Sequence, residues 1–193
     1  MISMNSYNKL NEDFRFNLIK SYDVEELCSM VNKFDTEWRL DTSRQNQPNS
    51  VHMNTNTYYL RSFKPGWEPH EKLRVFPLAN NIHILSIADK IMKDLEVIHN
   101  GKASLAMIVK LLPDSDIIPH ADESKYLGIV RRHHIPLKTN KDVLFHIDGE
   151  NINMKVGECW EINNSRVHHV TNDSHEDRVH MIIDIVPQQY IGE

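Results

Sequence analysis

Residues 143–154 read Val143-Leu144-Phe145-His146-Ile147-Asp148-Gly149-Glu150-Asn151-Ile152-Asn153-Met154. A short run of strand formers, a tight turn cluster at Asp148-Gly149-Glu150-Asn151, and a second short run over Asn151–Met154 follow one another without a break. The same rhythm extends both ways. Upstream lie Ser104–Leu112, the turn cluster Pro113-Asp114-Ser115, and Gly128–Leu137; downstream lie Glu158–Ile162, His168–Val170 and Arg178–Val186. Regular short strands joined by tight turns argue for a sandwich or barrel. The expected fold is therefore mainly β: a double-stranded β-helix, the cupin-like jelly roll, over residues 102–187.

The first part of the chain has a different texture. Asp23 is placed as the N-cap of a helix over 24–34, where Val24, Leu27, Val31 and Phe34 recur at helical spacing. A second helix is expected over 81–98, closing at Asn100-Gly101. Residues 1–23 read as an irregular arm with one early strand, with Met1 and Met4 as alternative starts. Residues 41–54 read as loop, Thr57–Arg61 as a strand, and Lys64-Pro65-Gly66 as a turn. At 193 residues the chain reads as one domain, 1–193, with a helical buttress and early strands over 1–101 bracing the jelly roll.

Composition narrows the function classes. A net charge of -5 gives no support to a nucleic-acid or anionic-membrane partner. The N-terminus shows no basic-then-apolar signal pattern, and no apolar run approaches the roughly 20 residues of a membrane span. Cys28 and Cys159 stand far apart and suggest neither a disulfide nor a thiolate site, so a reduced, cytoplasmic setting is expected.

Twelve histidines are many for this length, and most follow residue 119. His70, His83, His99 and His175 read as surface or hydrogen-bonded residues. His120 and Asp122 differ, because side chains two apart on a strand share a face. With His168 downstream, 46 residues beyond Asp122, they form the ligand set of a 2-His-1-carboxylate facial triad. Such a triad holds Fe(II) on one side and leaves the other open. His168 and His169 face opposite ways on a strand, so one alone can ligate. Arg178, 10 residues past His168, offers a planar fork of donors suited to a carboxylate. Arg132 and His134, again two apart, can complete a cationic pocket on one strand face. In segment 41–61, Arg44, His52 and Arg61 can supply a substrate rim, but loops are polar by default and the favoured reading is solvated loop residues; no substrate-binding residue is assigned.

Five motifs occur in order: Pro119-His120-Ala121-Asp122; Arg132-His133-His134-Ile135-Pro136-Leu137; Gly157-Glu158-Cys159-Trp160-Glu161-Ile162-Asn163-Asn164; His168-His169-Val170-Thr171-Asn172; and Asp177-Arg178-Val179-His180-Met181-Ile182-Ile183-Asp184. Together they resemble the aspartyl/asparaginyl β-hydroxylase family of 2-oxoglutarate- and Fe(II)-dependent oxygenases. The match is clear over 104–186, and Arg44-Gln45 through His52 and Thr55 extend it upstream.

The resemblance implies that His120 and His168, the latter in preference to His169, bind Fe(II). Asp122 completes the triad where some relatives lack a carboxylate. Arg178 takes the distal carboxylate of 2-oxoglutarate, helped by Arg132 and His134. The implied reaction consumes O2 and 2-oxoglutarate, hydroxylates an amino-acid side chain, free or as an Asp-, Asn- or Pro-type residue in a peptide, and releases succinate and CO2. Two rivals share the fold: a cupin-like metal enzyme that does not use 2-oxoglutarate, and a non-catalytic sensor of a small acid.

Overall fold

The computed structural model describes residues 12–34, 36–39, 41–48 and 50–193. Residues 1–11 of the expected N-terminal arm, with Met1 and Met4, lie outside the described residues. Eleven strands are described: β1 (Phe16–Ser21), β2 (Thr55–Phe63), β3 (Val75–Pro77), β4 (Gly101–Leu111), β5 (Ser115–His120), β6 (Arg131–Lys138), β7 (Val143–Ile147), β8 (Glu150–Ile152), β9 (Glu158–Ile162), β10 (His168–Asn172) and β11 (Arg178–Pro187). They form two antiparallel sheets, a major one in the order β1-β9-β6-β11-β4-β2-β3 and a minor one in the order β5-β10-β7-β8. That is the expected mainly-β jelly roll.

Helices α1 (Glu25–Val31) and α2 (Ile82–Ile98) cover one face of the major sheet. Leu27, Val31, Ile84, Ile91 and Leu95 pack there against Ile108, Ile135, Met181 and Ile183, all buried. The other face looks towards the minor sheet, whose Ile117, Phe145, Ile147 and Val170 close a second core. β11 lies between these layers, and Arg178 through Val186 are all buried. A strand with helices behind it and a sheet in front has no solvated side, which explains its nearly unbroken apolar run. The exceptions, Arg178, His180 and Asp184, share one parity and face the minor sheet.

Local chemistry sets the element ends. Asn81 caps α2 as its side-chain oxygen accepts from the His83 and Ile84 N–H groups at 3.1 and 3.2 Å. At the other end Asn100, with φ +43°, makes the left-handed turn. Gly101 already belongs to β4, and a Cβ there would lie 2.5 Å from the Val186 carbonyl oxygen. The turn between β7 and β8 uses Asp148 and Gly149 at φ +46° and +81°, between paired Ile147 and Glu150. Two positive φ values match the right-handed twist of the flanking strands.

Three expectations needed correction. α1 spans Glu25–Val31 rather than 24–34, with Val24 at the N-cap, because its end tightens into i−3 bonds from Lys33 and Phe34 to Met30 and Val31. The strand expected over 128–137 begins only at Arg131. Before it lies a short helix, α3 (Lys125–Ile129), because Ser124 accepts from the Leu127 N–H at 2.9 Å. The segment 115–120, not placed among the expected strands, forms β5.

Candidate metal centre

His120 is the last residue of β5 and His168 the first of β10, and the two are paired across the minor sheet. Their side chains therefore stand side by side, with ring centroids 4.3 Å apart. His169 points the other way and stacks on His146 at 4.2 Å and 2° on the far face. Each inward imidazole is oriented by its own backbone. His120 Nδ1 lies 2.8 Å from the Ile118 carbonyl oxygen, and His168 Nδ1 2.9 Å from that of Arg166. A carbonyl only accepts, so both Nδ1 atoms carry the proton and both Nε2 lone pairs face the pocket.

Asp122 lies two residues beyond β5, fixed by its N–H donating to the Asn164 carbonyl at 3.0 Å. Its Oδ2 accepts from Arg132 Nη1 at 2.6 Å and from Asn164 Nδ2 at 3.2 Å. Oδ1 is turned to the histidines, 3.8 Å from His120 Nε2. One ligand atom from each of His120, Asp122 and His168 lies within 4.8 Å of the others. Two neutral nitrogens and one carboxylate oxygen fit a divalent ion of ferrous type. Burial alone would raise the Asp122 carboxyl, but Arg132, His168, His120 and the Asn164 amide together hold it below its usual range. Burial pushes His168 down to about 4, so it is neutral and ready to ligate at ordinary pH.

Arg132 was expected at the cosubstrate. The structure places its guanidinium between two carboxylates. Besides Asp122, it donates from Nε and Nη2 to both oxygens of Asp184, each at 2.8 Å. Asp184 also accepts from the Tyr126 hydroxyl at 3.1 Å, and that hydroxyl lies 2.9 Å from Ser104 Oγ. The chain Tyr126–Asp184–Arg132–Asp122 therefore sets the direction of the Asp122 carboxylate.

Arg178 stands elsewhere on β11, 1% exposed, with no carboxylate partner among the described residues. Its Nη2 lies 2.8 Å from His180 Nδ1, its Nε has no partner, and burial pushes it down to about 9. His134 sits beside it, its ring edge-on to His180 at 5.8 Å and to Phe145 at 5.1 Å, and its Nδ1 is likewise unpartnered. Burial, then Arg178 and Arg132, hold His134 neutral. Both residues line the pocket that contains the triad, about 470 Å³ with its open mouth included.

Two further residues line this pocket that sequence reading left as solvated loop. Arg44 reaches in from the segment before β2, with Nη2 2.7 Å from His52 Nε2 and Nη1 near Thr57 Oγ1 and Met107 Sδ. His52 stands edge-on to His120 at 5.9 Å. Burial and then Arg44 push His52 down to about 3, and its buried Nδ1 has no partner. Polar loop composition hid these two; only their position before β2 places them inside. Arg61 is not in the pocket: it pairs with Asp89 of α2 at 2.7 Å.

This geometry agrees with the comparisons with known proteins. The family model for aspartyl/asparaginyl β-hydroxylase matches residues 39–187. The chain belongs to that family. It is accordingly an oxygenase of the hydroxylase class. No curated protein matches the sequence. Among solved structures, a 2OG-Fe(II) oxygenase family protein from Burkholderia pseudomallei has a TM-score of 0.61 at 14% identity, covering 99% of this chain and 94% of that one. HygX from Streptomyces hygroscopicus, solved with nickel and 2-oxoglutarate, has 0.58 at 12% identity, covering 91% and 84%. The viral collagen prolyl hydroxylase of Paramecium Bursaria Chlorella virus-1, solved as a 2OG complex, has 0.57 at 10% identity, covering 91% and 97%. At these identities the likeness is one of fold. No described helix is long and apolar enough to cross a membrane.

Proposed function

We propose that this oxygenase hydroxylates an amino-acid side chain, free or within a peptide, with Fe(II), 2-oxoglutarate and O2. His120 Nε2, Asp122 Oδ1 and His168 Nε2 would hold the ion, and Arg178 the far carboxylate of 2-oxoglutarate, with His134 against its chain. The bound ion and cosubstrate supply the oxidising chemistry: a substrate C–H becomes C–OH as 2-oxoglutarate and O2 become succinate and CO2. The protein's part is orientation. Asn164 and Arg132 hold Oδ2 of Asp122, and Phe145, Val109 and Ile182 keep the pocket apolar between its charged ends.

The observation that carries this reading is the pairing of the triad with a fully buried guanidinium, Arg178, that has no carboxylate partner among the described residues. Burying an unpaired charge is costly, and a protein keeps one where a ligand supplies the partner. The rival without 2-oxoglutarate leaves Arg178 unexplained. Charge also bears on the substrate. A divalent ion, Asp122, a dianionic cosubstrate and Arg178 sum to zero, as do Arg132 and Asp184. Arg44 remains, so the substrate brings a carboxylate, gripped by Arg44 and the His52 Nδ1–H. A reducing compartment, the cytoplasm, suits ferrous iron and the free thiols of Cys28 and Cys159.

Anaerobic addition of Fe(II) and 2-oxoglutarate tests the cofactor reading through the metal-to-ligand charge-transfer absorbance. Succinate release, screened over amino acids and peptides, then tests the substrate reading. An absent band, or a band that persists unchanged without Arg178, overturns the cosubstrate assignment.

A further inference from the structure

Side chains alternate across β6, so Arg132 and His134 face the pocket while Arg131 and His133 face the opposite side of the sheet. There His133, fully buried, is paired in register with Glu161 of β9, which is 2% exposed. His99, half-buried at the C-cap of α2, reaches down onto them. One ligand atom from each of His99, His133 and Glu161 lies within 4.8 Å of the others. We propose that this cluster is a second metal site, taking a divalent borderline ion of the Zn2+ type, independent of the iron centre on the other face.

The donor chemistry points to an ion. His133 Nδ1 lies 3.3 Å from the Ile183 carbonyl oxygen, so it carries the proton and leaves the Nε2 lone pair outward, as in His120 and His168. His99 Nε2 lies 2.8 Å from that lone pair, with ring centroids 4.7 Å apart. Without metal, one N–H bridges the two nitrogens. Tetrahedral zinc at about 2.0–2.1 Å from each would set them about 3.3 Å apart. The adjustment falls on His99, whose backbone stands at a helix end outside the sheet. Replacing a bridging proton by an ion uses donors that already converge.

The surrounding charges permit it. Glu161 accepts from Arg131 Nη1 at 3.0 Å, and the same nitrogen donates to Glu12 at 2.9 Å. Arg131 thus keeps a carboxylate when Glu161 gives an oxygen to the ion. Two nitrogens and one carboxylate oxygen leave a fourth position for water on the half-open His99 side. The ion would tie α2 to β6 and β9, joining the helical layer to the strand that carries Arg132 and His134.

The test uses the full chain with the iron triad disabled (His120→Ala, Asp122→Ala, His168→Ala), dialysed against Zn2+ and assayed for bound metal. About one equivalent is expected to remain. It should be lost on adding His99→Ala, and the Zn2+-induced rise in unfolding temperature should vanish with it. Triad-disabled protein without zinc overturns the site, as does zinc that survives both His99→Ala and Glu161→Gln. A zinc-edge anomalous map from wild-type crystals needs no variant. A peak between His99, His133 and Glu161 supports the site; zinc at the triad alone reduces the cluster to a hydrogen-bonded network.

Discussion

Replacing Arg178 by methionine should make the protein more stable and useless in the same stroke. The side chain is 1% exposed, and desolvation alone pushes its guanidinium well below its ordinary value, down to about 9, with no carboxylate among the described residues to offset it. That difference corresponds to roughly 5 kcal/mol against the charged form, an upper bound on what the buried charge costs. Exchanging a buried charge for an apolar side chain of similar length commonly returns about 1–4 kcal/mol. For a chain of this size, a gain of about 2 kcal/mol raises the melting temperature by roughly 4–8 °C. On the other side of the ledger, two charge-assisted hydrogen bonds at about 1.5–3 kcal/mol each vanish from the cosubstrate complex. The affinity for 2-oxoglutarate should therefore fall by roughly 100-fold to 10,000-fold. Thermal melts of metal-free protein, with and without Mn2+ and 2-oxoglutarate, read both effects in one experiment. Wild type should show a large ligand-induced rise; Arg178→Met should start higher and not respond. A variant that melts lower in the metal-free state, or still responds to 2-oxoglutarate, would refute the assignment of Arg178 as an uncompensated cation awaiting a carboxylate.

Other perturbations separate the remaining roles. Asp184→Asn removes one of the two carboxylates that clamp Arg132, and metal affinity, measured by competition with a chelator, should weaken by about 10- to 100-fold as Asp122 loses its orientation. Arg44→Gln should raise the KM for a carboxylate-bearing substrate at least tenfold, for a loss of about 1.5–3 kcal/mol, while 2-oxoglutarate binding stays as in wild type. Gly101→Ala drives a Cβ to 2.5 Å from the Val186 carbonyl and should cost about 1–3 kcal/mol in urea unfolding. Acid should destabilise the metal-free protein: His52 (down to about 3), His168 (down to about 4), His134 and His180 are all held neutral below the ordinary 6.5. The unfolded chain binds those protons first, so stability is intact above about pH 6.5 and is lost as pH falls below it. Near pH 5 the slope should approach about 5 kcal/mol per pH unit, from up to about four protons taken up on unfolding. A flat stability between pH 7 and 5 would contradict this.

The fold was legible where local chemistry and tertiary position agree. The tight turn at Asp148-Gly149 needs two positive φ values, and its residue types announce it. Asn81 and the Asn100-Gly101 pair bracket α2 for the same reason, although the left-handed residue is Asn100 and Gly101 serves a close approach to Val186 instead. Sequence failed where one hydroxyl decided: Ser124 turns residues that pattern like the start of a strand into α3. It also failed at β5, whose polar and apolar residues are mixed because its outer side meets solvent.

Strand parity made Arg132 and His134 legible as a pair on β6, whereas Asp122 lies beyond the end of β5 and is turned inward by its bond to Asn164 instead. His120 with Asp122, and Arg132 with His134, each stand two apart, and each pair faces the pocket. Carrying the rule along β11 brings Arg178, His180, Ile182 and Asp184 onto that face as well. Parity says which residues look inward; it does not say whom they meet. Arg132 and Arg178 look alike in sequence, both inward cations on buried strands. The register across β6 and β11 sets Arg132 against Asp184 and leaves Arg178 beside His180. One guanidinium is thereby neutralised between two carboxylates, and the other is left without one among the described residues. Loops escape the rule altogether. Arg44 and His52 enter the pocket from outside any strand, so the loop-borne part of its lining, to which the proposed substrate contacts belong, is what periodicity could not reach.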